Sequence, residues 1–262
     1  MLPILFEVFG LQVASYGLSM VIGAVAAWIL IRLLAGKKEK DIQLIFLVCI
    51  CGGFLGAVLL RPLMKTPEVI INWERFRQMP HEAIFQYLFG EIVFYGGLIG
   101  GSIALLLFCR RYKVQVLPVT DVFVPALALA HGIGRIGCFF GGCCYGIPVV
   151  SSHPLSVIFP PVSMSAPAGT PLLATQLIES ACLFTLAALL VMVYKKTAET
   201  GLTTCLYGVL YSIMRFTLEF YRGDMSRGLY GPFSTSQYIS LVLFASSTVL
   251  LYMNSRRTRS KS

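Results

Sequence analysis

The chain has 262 residues, of which 56% are hydrophobic and only 13% charged, and its mean hydropathy is +0.78. A soluble globular chain carries roughly twice that charged fraction, so these numbers argue against a water-soluble protein and for a polytopic membrane protein. The net charge of +9 does not point to a nucleic-acid partner. Lys37, Lys38, Lys40, Arg110, Arg111, Lys113, Lys195, Lys196, Arg256, Arg257, Arg259 and Lys261 all fall just after apolar runs, the pattern by which cytoplasmic loops are marked.

The first apolar run covers 13–34, with Tyr16 near its start and Arg32 at its end. The chain before it has neither a positively charged opening nor a small-residue cleavage site, so the run reads as a span and not as a removable signal. The second run, 42–60, carries Gly52, Gly53, Gly56 and Ala57, which permit close helix packing. In 61–90, Trp73, Phe76, Met79, Ile84 and Phe85 interleave with Glu74, Arg75, Arg77 and Glu82, as in an arm lying on the bilayer surface. The third run, 92–109, follows Glu91. The fourth, 117–134, tolerates Pro118 in its first turn and is expected to kink at Pro125.

The stretch 132–146 then packs six glycines, three cysteines and Arg135 into fifteen positions. It reads as a loop, continued by a Ser- and Pro-rich connection as far as Pro171. The last runs are 172–194, with Gln176 and Glu179 near its start, 202–221, with Arg215 and Glu219, and 236–253.

Seven runs of about 20 residues predict an all-α membrane protein of seven transmembrane helices, forming one domain over 1–262. The basic segments after runs one, three, five and seven then share the cytoplasmic face. The N-terminus, the arm at 61–90 and the loop at 132–146 fall outside, and the C-terminus is cytoplasmic.

This topology brings polar residues from several spans together. Tyr16, Glu91, Tyr95, Gln176 and Glu179 lie near the outer ends of inward-running spans, and His131, Arg135, Glu219 and Arg222 near the outer ends of outward-running ones. Arg215, Glu219 and Arg222 are spaced i, i+4, i+7, on one helix face, and Arg215 lies on the order of 10 Å below its helix end. Plainer roles exist. Arg222 and Arg227 can snorkel to headgroups, Arg215 can serve only to pair with Glu219, and Tyr16 and Tyr95 alone would be aromatic-belt residues. Arg135 with Arg215 nevertheless makes an anion clamp, since guanidinium binds phosphate in a planar, bidentate way. A phospholipid headgroup is the anion available at that depth.

Of eight cysteines, Cys49, Cys51, Cys109, Cys182 and Cys205 sit in or beside apolar runs, where cysteine behaves as a small hydrophobe. Cys138, Cys143 and Cys144 cluster. Paired C-x-x-C motifs are missing, so a structural zinc site is not expected. The three can form a disulfide, pack, or be reactive thiols.

The motifs together resemble those of the prolipoprotein diacylglyceryl transferase family. Tyr16-Gly17-Leu18 is similar to its Tyr-Gly-Leu, and Tyr95-Gly96-Gly97-Leu98-Ile99-Gly100 to its His-Gly-Gly-Leu-Ile-Gly. Gly134-Arg135-Ile136-Gly137, with Phe139 and Gly146, resembles the family signature. Pro154 with Phe159-Pro160, Gln176-Leu177-Ile178-Glu179, Arg215-x-x-x-Glu219-x-x-Arg222 and Ser234-x-x-Gln237 follow in family order.

The resemblance implies an enzyme of the bacterial plasma membrane that moves the diacylglyceryl group of phosphatidylglycerol to the lipobox cysteine of prolipoprotein signal peptides. Glycerol phosphate is released, with no nucleotide, cofactor or metal. It assigns catalysis to Arg135, Arg215, Tyr16 and Tyr95, and substrate binding to Arg135, Gly137, Gly146, Gln176, Glu179, Glu219 and Arg222. The chain departs from the pattern at Tyr95, where the family has histidine, and at Cys138, Gly141 and Cys143 within the signature. Glu179, Tyr95 and His131 are then the candidates for the base that takes the acceptor's proton. These departures also leave open a paralogue that uses the same lipid with another acceptor, or a non-catalytic phospholipid-binding protein.

Overall fold

Apolar side chains in long runs leave the backbone no partner but itself, and in a bilayer that condition selects the helix. Each of the seven runs is helical over most of its length in the computed structural model, which describes residues 4–8, 11–36, 39–89, 93–197, 199–224 and 228–259. Lys37, Lys38, Glu91, Arg227 and Lys261, with residues 90 and 92, lie outside the described residues. The helices are α1 (Ser15–Ala35), α2 (Glu39–Ile71), α3 (Trp73–Arg77), α4 (His81–Phe89), α5 (Phe94–Tyr112), α6 (Val116–Gly141), α7 (Thr175–Lys196), α8 (Leu202–Glu219) and α9 (Thr235–Arg259).

Among the described residues, five helices are long and apolar enough to cross a membrane: α1, α6, α7, Asp41–Ile71 of α2 and Thr235–Arg256 of α9. α5 and α8 hold the third and sixth expected positions but fall short of that measure. Their composition explains it: α5 carries four glycines and Arg110-Arg111, and α8 carries Arg215 and Glu219 within 18 residues.

The chain divides into two compact units, residues 35–116 and residues 1–34 with 117–262. In the first, α2 and α5 meet along facing glycines. A Cβ on Gly53 would stand 3.2 Å from the Gly97 carbonyl, and one on Gly101 3.2 Å from the Cys49 carbonyl, so small residues set this contact. α2 continues eleven residues beyond the expected end at Leu60, through Pro62 and Pro67. Thr66 Oγ1 donates to the Pro62 carbonyl at 2.8 Å in the segment where the prolines remove backbone donors. Beyond it, Phe76 of α3 packs its ring 5.1 Å from Tyr87 of α4.

In the second unit, Val124, Ala128, Leu186, Ala187 and Leu190 form a core between α6 and α7, while Val21, Leu33, Val242 and Val249 are exposed on α1 and α9. Three two-stranded antiparallel pairs decorate the helices: β1 (Ile4–Val8) with β2 (Leu11–Ala14), β3 (Ser156–Ile158) with β4 (Pro171–Leu173), and β5 (Leu229–Tyr230) with β6 (Phe233–Ser234). The Ser- and Pro-rich connection has its own small core of Phe159, Ala166 and Leu172. Its backbone folds back on α6, with Met164 N donating to the Gly141 carbonyl at 2.9 Å.

The largest difference from the sequence reading concerns 132–146, which is helix as far as Gly141 and not loop. Its glycines do not break the helix because neighbours need the space. A Cβ on Gly132 would meet the Phe184 ring at 2.7 Å, and one on Gly137 would meet Ser19 Cβ at 2.6 Å and Tyr16 Cα at 3.3 Å.

Candidate active site

The site grows from the first two turns of α7. Thr175, Gln176, Glu179 and Ser180 are all buried on one face. The first two fix the segment after α6: Thr175 Oγ1 donates to the Cys144 carbonyl at 3.1 Å and Gln176 Nε2 to the Cys143 carbonyl at 2.7 Å. Ser180 Oγ donates to the Gly132 carbonyl at 2.8 Å, so this buried hydroxyl, which would be costly unbonded, is satisfied. α7 is thereby pinned to α6 on both sides of Glu179.

Glu179 is 3% exposed in side chain plus backbone and sits among three basic groups. Arg135 Nη2 lies 2.9 Å from Oε1, Arg215 Nη1 3.8 Å from Oε2, and His131 Nε2 3.8 Å from Oε1. His131 and Arg135 reach it together because α6 stays helical through both, placing i and i+4 on one face. The Arg135 contact is close in distance, yet Glu179 Oε1 has no aligned hydrogen bond among the described residues, and neither do Arg135 Nε and Arg215 Nη1. Both guanidiniums thus keep donors uncommitted beside one carboxylate, although buried polar groups are as a rule bonded.

Arg215 is held from behind. Its Nη2 lies 2.7 Å from Glu219 Oε2, one turn along α8, and donates to Ser236 Oγ of α9 at 3.0 Å. Arg222, just past the end of α8, pairs instead with Asp224. Its Nε donates to Asp224 Oδ1 at 2.8 Å and its Nη2 to Oδ2. Arg222 also pairs as an isolated bridge with Gly146, and Gly223 N donates to the Tyr145 carbonyl at 2.9 Å. A Cβ on Gly146 would meet the Leu173 carbonyl at 2.6 Å, so glycine there allows three backbone segments to converge.

Tyr16, in the first turn of α1, lies within electrostatic range of Arg135, Cys138, Cys143 and Cys144. Gly137 brings it there through the close approach of α1 to α6. The Cys144 thiol is held below its ordinary range by hydrogen bonding with Cys138 and Cys143 and then by the charges of Arg135 and Arg222. Tyr95 is in the first turn of α5, in the other unit, and is exposed.

Of the expected residues, Arg135, Arg215, Glu179 and Glu219 form one network with His131; Tyr16 lies within electrostatic range of Arg135, with Gly137 beside it, while Gln176 holds Cys143 and Gly146 bridges Arg222. Arg222 belongs to a neighbouring pair with Asp224, a partner the sequence reading missed. Ser234 and Gln237 are structural. Ser234 Oγ accepts from Gln237 N at 3.3 Å and Gln237 Oε1 from Ser234 N at 2.9 Å, a capping box opening α9. Asp121 was also missed. It is buried on α6 and binds the start of α8, accepting from Thr204 N at 2.8 Å and from Gly201 N.

A model of the prolipoprotein diacylglyceryl transferase family matches residues 3–253. The chain belongs to this family. Among relatives of the transferase family, the phosphatidylglycerol–prolipoprotein diacylglyceryl transferase 2 of Clostridium perfringens is 36% identical over 259 residues, covering 98% of this chain and 96% of its own. The phosphatidylglycerol–prolipoprotein diacylglyceryl transferase of Clostridium tetani is 39% identical over 244 residues, 92% of this chain and 93% of its own. The protein of the same name from Gloeobacter violaceus is 30% identical over 262 residues, covering 98% and 94%. The family match therefore takes in every residue of the Arg135–Glu179–Arg215 network.

Proposed function

We propose that this chain transfers the diacylglyceryl group of phosphatidylglycerol to the lipobox cysteine of prolipoproteins, releasing glycerol phosphate. The observation that carries the chemistry is the pair of guanidiniums converging on Glu179 with donors uncommitted. Arg135 and Arg215 hold the donor's phosphate, whose oxygens match such donors. The acceptor sulfur attacks the glyceryl carbon that bears the phosphate ester. A C–S bond forms, the C–O bond breaks, and its electron pair leaves on the glycerol phosphate oxygen.

Charge then decides a role for Glu179. Arg135 and Arg215 face Glu179 and Glu219, so the network is near neutral before the donor arrives. The leaving phosphate gains a negative charge as the C–O bond breaks. If the phosphate takes over the arginines, the released Glu179 carboxylate accepts the thiol proton, and its neutralisation leaves both guanidiniums uncompensated in time to stabilise the leaving group. Glu219 and Ser236 hold Arg215 in place, Arg222 steadies the Gly146 segment, and Gln176 fixes the loop ahead of the clamp. Gly137 lets Tyr16 approach the headgroup. Tyr95 contacts the substrate on the strength of the residue match alone.

The same reading places the chain in the bacterial plasma membrane with seven spans, N-terminus outside, and treats 1–262 as one domain with its arm at 61–90. It is supported by helices at all seven positions and by basic last turns at Arg110-Arg111 and Lys195-Lys196. The deciding experiment is incubation of the purified protein with labelled phosphatidylglycerol and a synthetic lipobox peptide. Thioether product with one glycerol phosphate per turnover is expected. Lipid that stays bound while no peptide is modified would sink the assignment and favour another acceptor or a non-catalytic role.

A further inference from the structure

The catalytic reading leaves the three clustered cysteines without a task. Their sulfurs lie within 4.8 Å of one another, although their C-x-x-x-x-C-C spacing matches none of the paired motifs of structural zinc sites. The backbone makes the convergence. Cys138 is in the last turn of α6, and Cys143 N donates back to its carbonyl at 3.1 Å. Gly142 and Cys144 both adopt positive φ, +68° and +56°, which folds the chain over the helix end. Cys144 is one of two non-glycine residues in this conformation among the described residues, and α7 holds it through Thr175. A left-handed non-glycine residue fixed by its neighbours is the kind of local strain found at ligand sites.

We propose that Cys138, Cys143 and Cys144 form a binding site for one thiophilic divalent cation of the zinc class. Tetrahedral zinc with Zn–S bonds of about 2.3 Å needs sulfurs about 3.8 Å apart, and the three here lie within 4.8 Å of one another. The site is partly open: Cys138 is buried while Cys143 and Cys144 are half-buried, leaving a fourth position for water or an exogenous ligand. Electrostatics favour the loaded state in spite of the nearby guanidiniums. Three thiolates and a dication sum to one negative charge, and Arg135 and Arg222, both within electrostatic range of Cys144, then face an anionic complex. Binding releases the thiol protons and ties the end of α6 to the loop that follows it.

The test uses the full-length protein in detergent, reduced and freed of reductant, titrated with Co(II) as the spectroscopic probe. A thiolate-to-cobalt charge-transfer band saturating at one equivalent, and bleached by Zn(II), is expected. The band should be lost in Cys138→Ser, Cys143→Ser and Cys144→Ser and kept when Cys49, Cys51, Cys109, Cys182 and Cys205 are all replaced by alanine. A second measurement needs no variant: Zn(II) should protect the three clustered thiols from alkylation, mapped by mass spectrometry, while exposed Cys51 stays reactive. No band on stoichiometric Co(II), a band that survives the cluster substitutions, or equal alkylation with and without Zn(II) overturns the proposal. So does a disulfide in the cluster that, once reduced, leaves protein unable to bind the probe.

Discussion

Arg135 on α6 and Glu179 on α7 approach to 2.9 Å in a buried setting, and Arg215 on α8 reaches the other oxygen of the same carboxylate at 3.8 Å. Three successive helices are thus joined by one acidic group, which under the proposed mechanism gives up its arginines to the substrate phosphate. This arrangement separates the roles of carboxylate and guanidinium in a way that kinetics can read.

Glu179→Gln keeps the shape and removes the charge. Loss of a general base costs about 10²- to 10⁴-fold in rate, so kcat is expected to fall by that order. KM for phosphatidylglycerol should stay level or drop, since the arginines no longer hold a competing carboxylate. Steady-state kinetics with lipid and lipobox peptide check this; an unchanged kcat would reduce Glu179 to a counter-ion of the arginines.

Arg215→Ala and Arg135→Ala should both abolish measurable turnover but differ in stability. Arg215 is the ion-pair partner of Glu219, which is 1% exposed, at 2.7 Å. Removing one member of a buried pair costs about 3–5 kcal/mol. Arg135→Ala leaves that pair intact and Glu179 still near Arg215, so its thermal midpoint in detergent should fall less. Equal losses in the two variants would show that Glu219 does not depend on Arg215.

Arg135 and Arg215 were legible from sequence because a guanidinium inside an apolar run is costly without a purpose. The close-packing face of α2 was legible because Gly52, Gly53 and Gly56 recur on a helical spacing, whereas its partner, the glycines of α5, was not. What escaped was set by contacts between distant residues. The helical course of 132–141 depends on Phe184, Ser19 and Tyr16 filling the space beside Gly132 and Gly137, and a glycine count alone reads as loop. Asp121 and Asp224 looked unremarkable because their partners, the start of α8 and Arg222, give no periodic signal. The continuation of α2 past two prolines ran against the local rule that proline ends a helix.

Gly137→Ala tests the α1–α6 contact. Its new Cβ would stand 2.6 Å from Ser19 Cβ and 2.7 Å from Ser19 Oγ, an overlap of the kind that costs about 1–3 kcal/mol. Displacing α1 would also move Tyr16, so turnover should fall with the thermal midpoint. Ser19→Gly removes both clashing atoms, after which the next of the three nearest atoms is Tyr16 Cα at 3.3 Å. The double variant should recover most of the stability, giving a favourable coupling in a double-mutant cycle. Additive losses would mean that the two helices do not meet at these residues.

Asp121 carries the last prediction, which concerns folding and not chemistry. Its carboxylate accepts from Thr204 N at 2.8 Å, Thr204 Oγ1 at 2.7 Å and Gly201 N. These are orphan donors at the N-terminus of α8, here capped from another helix because the N-cap position is Gly201, which has no side chain to do it. Negative charge at that end is also favoured by the helix dipole. Asp121→Ala removes the acceptor of the two backbone donors, while the Thr204 hydroxyl keeps Thr120 Oγ1 at 2.9 Å, and should cost about 1–3 kcal/mol; Asp121→Asn keeps one acceptor oxygen and should cost less. Because Asp121 makes no contact with the Arg135–Glu179–Arg215 network, turnover per folded molecule should match the parent protein in both variants. Thermal denaturation alongside activity normalised to folded protein checks this, and a loss of turnover without loss of stability would give Asp121 a different role.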